Sequence, residues 1–106
     1  MLEKTILLNK LLSVYGGLLT DKQKDAIELH YNCDMSLAEI GLELGISRQG
    51  VRDTLSRAEH TLIECEDKLG VCKKLDKILT ELKRIQSKLD QSTKEEIGKV
   101  IKDLED

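Results

Sequence analysis

The sequence predicts an all-α protein, a helical bundle of about six helices. The chain has 106 residues and no proline, and its two aromatic residues are Tyr15 and Tyr31. Its core must therefore be built from leucine and isoleucine, which suits helices, whereas strands prefer β-branched and aromatic residues in alternation. Apolar residues recur at helical spacing, in segments that open with capping sequences or end at glycine. We expect a single domain, 1–106, since this length allows one core with an extension.

The first two predicted helices lie on either side of a glycine pair. Segment 3–15 ends at Gly16-Gly17, and its apolar residues at helical spacing are Leu7, Leu8, Leu11, Leu12 and Tyr15. Thr20 to Gln23 forms a capping box, in which the threonine hydroxyl and the glutamine side chain satisfy free backbone amides. The helix that follows is predicted to run to about Tyr31 and to bury Ile27 and Tyr31.

Four further helices are predicted from caps and glycines. A capping box from Ser36 to Glu39 opens a short helix that ends at Gly45, and Ser47 caps a long helix over 48–69. Gly70 marks a turn before a helix over about 71–89. The sequence Ser92-Thr93-Lys94-Glu95 reads as one more capping box, and it opens a last helix whose apolar stripe is Ile97, Val100, Ile101 and Leu104.

Two apolar stripes alternate spacings of three and four residues. The first is Leu55, Ala58, Leu62, Cys65, Leu69 and Cys72, and the second is Leu75, Ile78, Leu82, Ile85 and Leu89. Such seams pack one helix against another. They suit either a helical hairpin bent at Gly70 or a homodimer interface, and both alternatives stay open at this point.

The segment 36–62 has the pattern of a helix-turn-helix. Gly45 supplies the left-handed conformation that a tight turn between crossing helices needs, and Gly41 provides a small residue where the two helices approach closely. The aliphatic residues predicted to face inward are Leu37, Ile40, Leu44, Ile46, Val51 and Leu55. We therefore assign 19–69 to a helix-turn-helix module and 71–106 to a C-terminal helical extension.

Three of the four arginines of the chain, Arg48, Arg52 and Arg57, lie within ten residues on the second helix of this motif. The N-terminal end of a recognition helix enters the major groove, where arginine binds guanine edges or phosphate. Ser47 and Gln49 add short polar groups for phosphate or base edges. These five residues are the candidate nucleic-acid-binding site.

The alternative is a surface that contacts protein. Exposed arginines often form only weak surface ion pairs, and Asp53, Glu39 and Glu43 lie close enough in sequence to neutralise them. Gly50 offers no contact atom in the turn that would read bases. In this interpretation the protein is an adaptor that uses the helix pair or the apolar stripe 75–89.

Composition and motifs argue against several other classes of function. The net charge of −3 and the isoelectric point near 5.4 disfavour a protein that coats nucleic acid nonspecifically. There is no glycine-rich phosphate loop and no Ser/His/Asp set, so we expect no enzyme. His30 and Cys33 lie one helical turn apart, but no second ligand pair completes a site, so we expect neither a metal nor a cofactor. Cys33, Cys65 and Cys72 are predicted to be reduced core residues.

The chain has no apolar run long enough to cross a bilayer. The first nineteen residues are interrupted by Glu3, Lys4, Asn9 and Lys10, which argues against a signal peptide. We therefore expect a cytoplasmic protein with no membrane partner.

Residues 19–62 resemble the fourth region of bacterial sigma factors, the helical module that reads the −35 promoter element. The matching motifs are "LTDKQ" opening a helix, "LAEIGLELGIS" across the turn and "VRDTLSRA" along the recognition helix. No other segment resembles a sigma factor, so an initiating sigma factor is not expected. DNA is favoured over single-stranded RNA, because two tyrosines leave little aromatic surface for base stacking.

The whole chain, with its leucine-rich first helix and the segment "GVCKKLDKI", is similar to the small bacterial YlxM-type proteins. Genes of that family commonly neighbour those for the signal recognition particle GTPase and its receptor. The resemblance implies a regulatory protein that takes part in the signal recognition particle pathway. The residues and the resemblances together lead us to expect DNA as the first partner, then structured RNA, a protein of that pathway, or a second copy of the chain.

Overall fold

The computed structural model describes residues 2–105, and within them the chain forms six α-helices and no strand. The helices are α1 (Leu2–Tyr15), α2 (Asp21–Ile27), α3 (Leu37–Leu44), α4 (Arg48–Leu69), α5 (Val71–Gln86) and α6 (Gln91–Glu105). A 3-10 turn (Gly16–Leu18) follows α1 and a π-helical turn (Glu28–Asn32) follows α2. The all-α prediction is confirmed. The helices form two compact units, one that ends at Leu69 and one that begins at Gly70, where the backbone turns through a left-handed conformation.

The first unit is built around α4, which packs against α1, α2 and α3. The apolar stripe of α4 faces inward, and its fully or nearly fully buried members are Val51, Leu55, Ala58 and Leu62. They meet side chains that the other helices bury, chiefly Leu8, Leu11, Ile27 and Ile40. Burying one such large aliphatic side chain contributes about 1.5–3 kcal/mol, so this cluster holds the helix-turn-helix in place. Leu7, counted in the predicted apolar face of α1, lies at its edge and is exposed.

The helix that begins after Thr20 is less regular than predicted. Its capping box is confirmed, since Thr20 Oγ1 accepts from the Gln23 amide at 3.1 Å and Gln23 Oε1 accepts from the Thr20 amide at 3.0 Å. After Ile27 the helix widens, and the Cys33 amide donates to the Glu28 carbonyl, five residues back, at 3.1 Å. This π-helical turn leaves Tyr31 half-buried and Cys33 exposed, so the prediction that Cys33 is a core residue is wrong.

The second unit consists of α5 and α6 packed against each other. The predicted end of α5 at Leu89 is wrong, because Lys88 and Leu89 donate to carbonyls three residues back and so leave the α-helical pattern after Gln86. The predicted capping box at Ser92 is also wrong. Asp90 Oδ1 accepts from the Thr93 amide at 2.9 Å, and α6 therefore begins at Gln91.

The assignments that join the two units stay predictions, namely one domain over 1–106 and a hairpin bent at Gly70. The three cysteines form no disulfide within the described chain; Cys65 is half-buried and Cys72 is buried. No helix among residues 2–105 has both the length and the apolar character needed to cross a membrane.

Candidate nucleic-acid interface

The turn between α3 and α4 is held by two glycines, as the sequence predicts. Gly45 adopts φ 69° and ψ 35°, the left-handed conformation, and its amide donates to the Gly41 carbonyl. A Cβ atom on Gly41 would lie 2.7 Å from the Ile46 carbonyl oxygen, closer than van der Waals contact allows. The missing side chain at Gly41 therefore lets the turn approach α3, and this sets the position of α4.

Ser47 caps α4 and thereby orients its first turn. The Ser47 hydroxyl oxygen accepts from the Gly50 amide at 2.9 Å, and the Ser47 carbonyl accepts from the Val51 amide at 2.9 Å. Gly50 is half-buried, with Ser47 and Ile46 as its nearest neighbours. Gly50 therefore belongs to the packing of the turn, and the outward positions of this turn are held by Arg48, Gln49 and Arg52.

The arginines of α4 are exposed, and the carboxylates near them accept hydrogen bonds or ion pairs from other groups. Asp53 accepts from Gln49 Nε2 at 3.0 Å. The Glu59 carboxylate lies 2.7 Å from Lys4 Nζ, and Glu39 Oε1 accepts from the Ser36 amide at 3.1 Å. In the described part of the chain no ion pair neutralises Arg48, Arg52 or Arg57. Their guanidinium groups therefore present free donors to solvent.

The structure brings two of the three arginines together. Successive residues of an α-helix turn by about 100°, so Arg48 and Arg52 lie within about 40° of each other around α4. Arg57 lies about 140° further round than Arg52. Arg48, Arg52 and the capping Ser47 thus share one end and one flank of the helix, with Gln49 beside them, while Arg57 points to another side.

Beside this flank runs an open groove of about 420 Å³ that the sequence did not indicate. Its polar lining comes from Arg52, Ser56 and Glu59 of α4, His30 of the π-helical turn and Lys4 of α1. The hydrogen bond with Glu59 raises the pKa of the Lys4 ammonium, so it stays charged. Because Lys4 is paired with Glu59 in this lining, Arg52 supplies the unpaired positive group of the groove. No local pattern pairs Lys4 with Glu59, which is 55 residues away, so sequence alone could not place it there.

Tyr31 closes this groove from the π-helical turn. Its hydroxyl donates to Glu59 Oε1 at 3.0 Å, and the Lys4 ammonium lies 5.8 Å from the centre of its ring. Burial of the ring raises the pKa of the Tyr31 phenol, which therefore stays neutral and remains a hydrogen-bond donor. His30 packs edge-on against Tyr31, with Nδ1 3.4 Å from the Met35 carbonyl.

Comparison with known proteins gives the same fold assignment as the geometry of the turn. A family model described as "Putative helix-turn-helix protein, YlxM / p13 like" matches residues 2–104. A UPF0122 protein of Thermoanaerobacter sp. (strain X514) is 44% identical over 94 residues, covering 85% of this chain and 80% of the relative. A UPF0122 protein of Halalkalibacterium halodurans is 39% identical over 106 residues, covering 99% of this chain and 97% of the relative. The chain therefore belongs to the UPF0122 family of YlxM/p13-like helix-turn-helix proteins.

Proposed function

We propose that this protein is a regulatory protein that binds duplex DNA through the N-terminal half of α4. The observation that carries the proposal is that Arg48 and Arg52 are both exposed and lie one helical turn apart on α4. The nearby carboxylates of Asp53 and Glu59 are bound by other side chains. A helix-turn-helix places this end of its second helix in the major groove. Two free guanidinium groups there bind guanine edges or phosphates.

Each predicted site residue has a role that its position supports. Arg48 and Arg52 make the main contacts. The Ser47 oxygen is occupied by the Gly50 amide, but its hydroxyl hydrogen remains available to a phosphate. Gln49 would exchange its bond to Asp53 for a base edge or phosphate, and Arg57, on another side of α4, would reach backbone phosphate outside the groove.

Structured RNA is the alternative nucleic acid. The resemblance to YlxM-type proteins connects the family with the signal recognition particle pathway through gene neighbourhood, so we further propose that the regulated process is protein targeting. The RNA of the signal recognition particle is accordingly the RNA to compare with DNA. Two tyrosines, both hydrogen-bonded to α4, offer little stacking surface, and this favours DNA.

The test is a titration of the protein with random-sequence duplex DNA and with signal recognition particle RNA at two salt concentrations. Wild-type affinity for the preferred ligand should fall steeply with salt, because each contacted phosphate releases counterions. The Arg48→Ala/Arg52→Ala variant should bind at least about tenfold more weakly, with a log–log salt slope shallower by about two. The measurement is fluorescence anisotropy of labelled nucleic acid.

A matched control removes two positive charges elsewhere. Lys22 and Lys99 are exposed and lie on α2 and α6, so Lys22→Ala/Lys99→Ala has the same net charge as the arginine variant. It should retain wild-type binding. Equal and weak binding by the wild type and the arginine variant would reject the nucleic-acid function.

A protein-interaction adaptor is the second candidate, and an exposed leucine supports it. Leu42 on α3 is 87% exposed. Nearby, Leu29 and Leu44 line an open groove of about 370 Å³ together with Asp25, Glu28 and Glu43. An apolar surface with an acidic rim fits a basic, apolar segment of a partner protein. If nucleic-acid binding is absent, a protein of the targeting pathway should bind the wild type and lose affinity for Leu42→Ser.

A further inference from the structure

The second unit leaves part of its apolar surface exposed to solvent. Among its large apolar residues within the described chain, Ile101 is buried, together with the small Cys72. Ile78 is 50% exposed, Val100 47% and Ile85 39%. The half-buried apolar residues of the second unit include Leu75, Leu79, Leu82, Leu89, Ile97 and Leu104. Soluble proteins seldom expose a continuous apolar surface of this kind without a partner.

Two packed helices cannot enclose a core by themselves. Helices α5 and α6 are joined by a short turn, and Gln86 Nε2 donates to the Lys94 carbonyl at 3.0 Å. Lys83 Nζ and Glu105 Oε2 lie 3.8 Å apart, so a second polar contact joins the two helices. Each helix covers only the part of the stripe that faces the other. The rest forms one apolar face, which we define by Ile78, Leu82, Ile85, Val100 and Leu104 and call the α5/α6 face.

We propose that the α5/α6 face binds the same face of a second copy of the chain, forming a four-helix bundle with two-fold symmetry. A symmetric interface must be complementary to itself, and the charges of this hairpin meet that condition. Helix α5 carries five basic and two acidic residues, and α6 carries three basic and four acidic residues. When α5 of one copy lies beside α6 of the other, helices of opposite net charge are adjacent. Four helices also enclose the apolar stripes that two leave open.

The size of the face is sufficient for a weak but specific dimer. Helices of this length extend about 24 Å, and two side by side are about 20 Å wide, so the face covers on the order of 500 Å² per copy. The two copies together would bury about 1,000 Å², near the lower limit of specific interfaces. We therefore expect a micromolar dissociation constant, because interfaces of this size rarely bind more tightly without strong anchors.

Sedimentation equilibrium of the full chain across the micromolar range tests the proposal without any nucleic acid. The average mass should rise with concentration from 12.0 kDa towards twice that value. Ile78→Glu places a charge in the face and should keep the chain monomeric throughout. The control Leu18→Glu makes the same change at an exposed leucine of the first unit and should dimerise like the wild type.

A milder variant guards against misfolding of Ile78→Glu. Val100→Thr keeps the side-chain shape and should weaken dimerisation about tenfold, with an unchanged circular dichroism spectrum. A wild-type mass that stays at 12.0 kDa across the range overturns the proposal, and so does a Val100→Thr variant that dimerises as tightly as the wild type. Either result would mean that the α5/α6 face binds another protein or stays exposed to solvent. Because mass is measured without DNA, loss of the dimer and loss of DNA binding are separate outcomes.

Discussion

Among the glycines of the helix-turn-helix, Gly41 lies closest to neighbouring backbone. The position that a Cβ atom would occupy there is 2.7 Å from the Ile46 carbonyl oxygen, and the next neighbours are backbone atoms of Ser47 and Arg48. Backbone cannot rotate aside as a flexible side chain can. Any side chain at this position must therefore push the start of α4 away from α3, and with it the two arginines.

We predict that Gly41→Ala destabilises the protein by about 1–3 kcal/mol, the range for overpacking a close contact. Chemical denaturation followed by circular dichroism measures the loss. Gly17→Ala is the matched control, since a Cβ atom on Gly17 meets nothing within 4 Å. Gly17→Ala should leave stability nearly unchanged, and a Gly41→Ala variant as stable as this control would show that the turn has room.

Among the helices, α6 shows how two nearby capping sequences compete. Ser92 has the sequence of a capping box, but Asp90 Oδ1 accepts from the Thr93 amide and the Asp90 carbonyl accepts from the Lys94 amide at 2.9 Å. The cap at Asp90 adds two residues to the start of α6. Hydrogen bonds from the backbone amide and side chain of Thr93 lower the pKa of the Asp90 carboxyl, because they favour its charged form.

We predict that Asp90→Ala lowers the thermal midpoint of unfolding and that Ser92→Ala does not. A depressed pKa in the folded state means that the stabilisation is present above the ordinary aspartate pKa and is lost as pH falls through the lower folded value. The difference between wild type and Asp90→Ala should therefore be visible at neutral pH and shrink under acid conditions. A larger effect of Ser92→Ala would instead place the cap at Ser92. Thermal melts at several pH values make the comparison.

At the scale of the whole molecule, α4 joins the elements of the first unit through polar contacts as well as through its apolar stripe. The two aromatic residues of the chain both reach carboxylates of this helix: Tyr15 donates to Glu66 at 2.7 Å and Tyr31 donates to Glu59 at 3.0 Å. Lys4 adds an ion pair to Glu59 at 2.7 Å. These contacts attach α1 and the π-helical turn to α4, so they support the helix that carries the candidate interface.

We predict that Lys4→Met destabilises the protein below about pH 10 by less than about 1 kcal/mol, because a partly exposed ion pair is screened by solvent. The raised pKa of Lys4 means that its contribution is complete below the ordinary lysine value and disappears as pH rises through the higher folded value. The stability gap between wild type and Lys4→Met should therefore close at strongly alkaline pH.

The control for this ion pair is Lys22→Met, which changes an exposed lysine of α2. It should show no such gap at any pH in urea denaturation between pH 7 and pH 11, a range that spans the ordinary lysine pKa. A Lys4→Met gap that persists unchanged at the alkaline end would mean that the methylene stem of Lys4, and not its charge, stabilises the fold.

Features that depend on neighbours in sequence were predicted well. The capping boxes at Thr20 and Ser36, the left-handed Gly45 and the start of α4 at Arg48 each involve partners within a few residues. The π-helical turn over 28–32 was not predicted, because the sequence carries no local signal that distinguishes its wider hydrogen bonds from those of an α-helix. The candidate site was predicted on α4 alone, without the groove that Lys4 and Tyr31 complete.

The sequence by itself determined the helical fold class and the helix-turn-helix, since hydrophobic spacing, caps and glycines act over one or two turns of chain. The tertiary structure decided which charges remain available. Lys4 and Tyr31, which lie far from Glu59 in sequence, bind its carboxylate, so within the described chain Glu59 forms no ion pair with Arg52. Only packing could decide this, because an ion pair forms between groups that the fold brings within about 4 Å, whatever their separation along the chain.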